Sequence, residues 1–234
     1  MSLPSIAIIG QTERLRDGSL TRGGALAQEI RRFAPTARVT FRAVVPTATE
    51  VDAITTTLVE AGITAQITSR AESDVPGPIR KGDRLDIWGI FAHDIVVLDV
   101  DDVPLREFLT DLPAHTKPDV RLLGPLPDAP LPEHAIARDV ALRFDTLVGT
   151  DLAYRALTDA DDAFTDIAAR MIGANLRTAI RVAPDTLTIA MRDEPIREIP
   201  RAAESPATTL ARVALAMATR ADWATLVLTA TPIP

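Results

Sequence analysis

Between residues 5 and 69 the chain switches repeatedly between two hydrophobic periods, and this constrains the fold more than any other feature. Ser5-Ile6-Ala7-Ile8-Ile9-Gly10 is a short, β-branched apolar run ending in glycine, the pattern of a strand buried on both faces. From Gly24 to Phe33 the period changes: Leu26, Ile30 and Phe33 fall at i, i+4 and i+7, one face of a helix. Val39, Phe41, Ala43 and Val45 then alternate as in a strand. Thr47 or Thr49 can cap the next helix, which carries Val51, Ile54 and Leu58 on one side and stops at Gly62. Ile63, Ala65 and Ile67 alternate again. The opening therefore reads β-α-β-α-β, which predicts a doubly wound, mostly parallel sheet with helices on both faces.

The rhythm stops in residues 71–90, where proline and glycine punctuate the chain, and this stretch reads as a loop or a small hairpin outside the main sheet. It resumes with a strand through Ile95–Val100 and a helix using Leu105, Phe108 and Leu109. "DVRLLGPLP" is a strand ending in a proline-rich turn; "LPEHAIARDVALRF" is helical. "DTLVGTDLAYRALTD" is a strand with a capped helix, and "DAFTDIAARMIGAN" is a further helix. Three short strands follow in "RTAIRVA", "TLTIAMR" and "PIREIP", then a helix from about Pro206 to Thr219, and "DWATLVLTATPIP" reads as one more short helix and a tail. No linker or repeat divides the sequence, so residues 1–234 are read as one domain.

Composition narrows the function classes. The net charge of −7 argues against a nucleic-acid partner or an acidic membrane surface, which need a basic face. With no cysteine, thiolate metal sites and cysteine nucleophiles are excluded. No apolar run approaches the roughly 20 residues of a membrane span, and the start lacks a basic region with a cleavage site, so cytoplasmic residence is the expectation. His93, His115 and His134 stand alone, with no partner at metal-ligand spacing, and no metal site is expected. Trp88 and Trp223 read as apolar anchors. "DADD" at 159–162 and "RDEP" at 192–195 read as solvated helix or turn starts.

The order of elements, with Gly23-Gly24 opening the first helix, resembles the ribokinase-like (PfkB) carbohydrate kinases. "GGALAQEIRRFAPTARVTFRAVVPTATEVDAITTTLVEAGIT" is similar to that family's first half, and "FDTLVGTDLAYRALTD" to its middle strand-helix step. The resemblance implies phosphoryl transfer from ATP with Mg²⁺ to a sugar or nucleoside. It also implies a glycine pair lying against the substrate, a lid, and an anion hole opened by a Gly-Ala-Gly-Asp motif before a late helix.

This sequence departs from the pattern at both halves of the implied site. "RAAESPATTLARVALAMATR" has no glycine and no aspartate, Gly173 is the last glycine of the chain, and Pro206 removes an N–H at the helix start. Only Glu204 and Ser205 remain as polar groups in the anion-hole region. On the substrate side Gly23 and Gly24 match. Gln28 stands where the family places asparagine, and Asp17 is displaced from its early aspartate. Gly23, Gly24 and Gln28 are therefore the candidate substrate groups, against a plain turn-and-helix entry for the glycines and a surface amide for Gln28. Asp99 follows a central strand and is a candidate polar group at the strand ends; Asp101 or Asp102 suits a helix cap instead. The expected protein is thus a carbohydrate kinase-like chain with an impaired catalytic half. The alternatives are an active divergent sugar or nucleoside kinase, or another α/β ligand binder or scaffold, with 71–90 as a candidate homodimer contact.

Overall fold

The computed structural model describes residues 3–45, 47–69, 92–98, 120–127, 143–158, 161–201 and 204–219. In chain order they form β1 (Ser5–Ile9), α1 (Arg22–Phe33), β2 (Arg38–Val45), α2 (Ala48–Glu60), β3 (Thr64–Ser69), β4 (Ile95–Leu98) and β5 (Arg121–Pro125). They continue with β6 (Thr146–Gly149), α3 (Asp151–Thr158), α4 (Phe164–Ala174), β7 (Thr178–Val182), β8 (Thr186–Met191), β9 (Arg197–Pro200) and α5 (Pro206–Thr219). The lid-like stretch 71–90, the helices expected from "DVDDVPLREFLTDL", "LPEHAIARDVALRF" and "DWATLVLTATPIP", Asp99, Asp101, Asp102, His115, His134 and both tryptophans lie outside the described residues.

The strands form one sheet in the order β3-β2-β1-β4-β5-β6-β7-β8-β9. All neighbours through β7 are parallel, while β8 and β9 return antiparallel. The reversal follows from the connections: the β7–β8 turn is only Ala183-Pro184-Asp185, too short for the crossover that parallel strands need. β9 is an edge strand, and its exposed Arg197, Glu198 and Pro200 discourage pairing with another chain.

The apolar alternation sorts the core into two layers. Ile6, Ile8, Phe41 and Ala43 bury against α1, α2 and α5 through Leu26, Ile30, Ile54, Leu58 and Val213. On the other face Ala7, Ile9, Val96 and Leu98 join Tyr154, Phe164, Ile167 and Met171 of α3 and α4. The helix face read as Leu26, Ile30 and Phe33 is buried, and α2 carries the expected Thr47 entry, with Thr47 N donating to Glu50 Oε2 at 3.3 Å. Its stop is Gly62 at φ +74, a left-handed position where a Cβ would be strained. Tyr154 shows how the second layer is tied to the sheet. Its fully buried hydroxyl donates to Leu147 O at 2.8 Å and accepts from Ile180 N at 3.0 Å, joining β6 to β7.

Candidate functional site

The chain leaves β1 toward β2 and β3 on one side, and builds β4 and its successors on the other. The crevice beyond the carboxyl ends of β1 and β4 is therefore the topological switch point, where open α/β sheets hold their ligands. A cavity of about 680 Å³ lies there. Strands β1 and β4 contribute Ile8, Ile9 and Val97, with Gly10 just beyond; the end of β5 contributes Pro125, followed by Leu126 and Pro127. Helix α1 supplies Arg22, Gly23, Ala25 and Leu26 from its first turns, and the entrance of α5 supplies Ser205, Pro206, Ala207 and Leu210. The two helix N-termini that the sequence singled out thus meet at one cavity.

The α1 entrance is built by close packing. A Cβ on Gly23 would come within 2.6 Å of Phe41 Cε2, and one on Gly24 would fall on Thr12 Oγ1 and 3.0 Å from Leu20 Cδ1. Gly23 N donates to Gln11 O at 3.1 Å, and Thr12 Oγ1 donates to Thr21 O at 3.1 Å. Both glycines are thereby accounted for by the entry of the helix against β2 and the 11–21 turn. Only Gly23 also lines the cavity; Gly24 faces Thr12 and Leu20, and the half-buried Gln28 is not among the lining residues. Asp17 closes the 11–21 turn instead of reaching the cavity, accepting from Ser19 N at 2.9 Å and Ser19 Oγ at 2.6 Å.

Arg22, which the sequence reading passed over, is the cationic lining residue among those described. It holds φ +41, a left-handed conformation that side-chain-bearing residues adopt at a cost, and its Nη1 donates to Gln11 Oε1 at 3.1 Å. The signal available in the sequence was its position, directly before the glycine pair at a strand-to-helix entry.

The α5 entrance is closed by its own side chains. Pro206 has no N–H, Ser205 Oγ accepts from Thr208 N at 3.1 Å, and Thr209 N donates to Ser205 O at 3.1 Å. Thr208 Oγ1 donates to Glu29 Oε2 at 3.0 Å, since a carboxylate can only accept. The 2.8 Å contact between Ser205 and Thr208 hydroxyls therefore uses the Ser205 proton. That leaves Ala207 as the first-turn amide with no acceptor among the described residues. Glu204 turns into the α1–α5 interface, pairing with Arg212 at 2.7 Å, whose guanidinium stacks 4.7 Å from the Phe33 ring centre. Arg201 pins the approach, donating to Glu204 O at 2.6 Å and Ala183 O at 3.0 Å.

Elsewhere, His93 is buried, with Nδ1 2.7 Å from Ser5 Oγ at the amino ends of β1 and β4, opposite the cavity. Asp161 and Asp162 pair with Arg155 and Arg170 at 2.9 and 2.6 Å. A second depression, about 730 Å³, lies between the end of α4 and the β8–β9 turn and shares no lining residue with the first. Among the described residues no group of three or more acidic or histidine side chains is placed to hold a metal ion, and no helix is long and apolar enough to cross a membrane.

No protein-family model matches the chain, and no curated protein sequence matches it. Solved structures do. Ribokinase from Thermotoga maritima superimposes with a TM-score of 0.73 at 11% identity, over 97% of this chain and 90% of that one. Arabidopsis thaliana ribokinase in complex with ribose and ATP gives 0.68 at 14% identity, over 97% and 89%. A pyrophosphate-dependent kinase of the ribokinase family, in complex with a pyrophosphate analogue and myo-inositol, gives 0.68 at 10% identity, over 95% and 90%. With a nine-stranded, mostly parallel sheet covered by helices on both faces, this chain has the ribokinase-like α/β fold.

Proposed function

We propose that this protein is a carbohydrate kinase-like small-molecule binder that holds its ligand in the switch-point cavity and is impaired in phosphoryl transfer. The observation that carries the reading is the self-capped entrance of α5. Phosphoryl transfer needs donors left free and aimed at developing phosphate charge, together with a base for the acceptor hydroxyl. Here proline removes one donor, Ser205 takes another, and the neighbouring carboxylate of Glu204 is held by Arg212. ATP and Mg²⁺, which the fold suggests, do not fit the described residues at this helix entrance, and no step is routed through them.

The cavity itself supports ligand binding, because its volume lies within the range usual for small-molecule sites. Gly23 is the candidate substrate group that lines it; Gly24 supports it from behind. The test is direct. The protein is incubated with Mg²⁺ and either ATP or pyrophosphate, beside a panel including ribose, myo-inositol and nucleosides. The expected outcome is no phosphorylated acceptor above a protein-free control and no rise in melting temperature with ATP, since only a ligand bound to the folded state raises it. Turnover of any acceptor would establish the active divergent kinase instead.

A further inference from the structure

We draw no further inference here: the strongest candidate, the aliphatic wall that Ile8, Ile9, Val97, Leu126 and Leu210 give the switch-point cavity, belongs to the site already described, and nothing among the described residues shows what covers it.

Discussion

Two helices enter the same cavity, and they are closed by opposite means. The α1 entrance is closed from outside: Gly23 and Gly24 lack side chains so that Phe41, Thr12 and Leu20 can press against the first turn. The α5 entrance is closed from within, by the hydroxyls of Ser205 and Thr208 and a proline. Glycine at a helix entrance is commonly taken as room for a ligand. Here the glycines are filled by protein, while the entrance without glycine has spent the Thr208 and Thr209 amides on Ser205 and has no N–H at Pro206. The absence of side chains and the availability of donors are therefore separate properties, and only the second bears on phosphate chemistry.

The largest effect should come from breaking the outside closure. Gly24→Ala puts a methyl group onto Thr12 Oγ1 and against Leu20. Overpacking of this kind costs about 1–3 kcal/mol, which is a fall of several degrees in melting temperature for a chain of this size. Adding Thr12→Ala should restore part of the loss, because it removes the atom struck first while Leu20 remains. If Gly24→Ala melts like the parent, the glycine pair is not a packing device and the comparison with α5 collapses.

What was legible in the sequence follows the same division between local and long-range causes. The α1 face, the Gly62 stop, the three late strands and the span of α5 are set by neighbours a few residues apart, so periodicity and turn residues reveal them. The antiparallel return of β8 and β9 was also written locally, in the brevity of the Ala183-Pro184-Asp185 turn. The jobs of Gly23 and Gly24 were not, because Phe41 meets Gly23 only after β2 pairs beside β1. Glu204 could be placed near the α5 entrance from its number, but its pairing with Arg212 depends on how the helix begins. Ser205 was half legible: a serine three residues before Thr208 is a capping pattern, and its cost to an anion hole emerges once Glu29 closes the ring.

A middle-sized effect should follow from opening the inner closure. Ser205→Ala removes the acceptor of Thr208 N and the donor to Thr208 Oγ1. Loss of such a cap costs about 1 kcal/mol, or a few degrees of melting temperature. Ser205→Gly should cost only a few tenths of that energy, because the open backbone lets water reach the amide. The pair sharpens the comparison. If Ala and Gly destabilise equally, Ser205 acts through something other than capping, and the closure of α5 from within is wrong.

The smallest effect tests the outer frame of α1, the 11–21 turn that carries Thr12 and Leu20 to the glycines. Asp17 is exposed there, and the Ser19 hydroxyl, followed by the Ser19 amide, holds its carboxyl below the ordinary value of 3.8. A carboxyl with a depressed folded-state pKa stabilises the turn at pH values above the unfolded value, and this support is lost as pH falls through the folded one. The change should therefore appear below pH 3.8 and nowhere near neutrality. Carboxyl-detected NMR titration of Asp17 should give a lower midpoint in the parent than in Ser19→Ala, where the larger of the two bonds is gone. Coincident midpoints would mean that the turn is not closed in solution by Asp17, and that Thr12 and Leu20 are held against Gly24 by the packing of α1 alone.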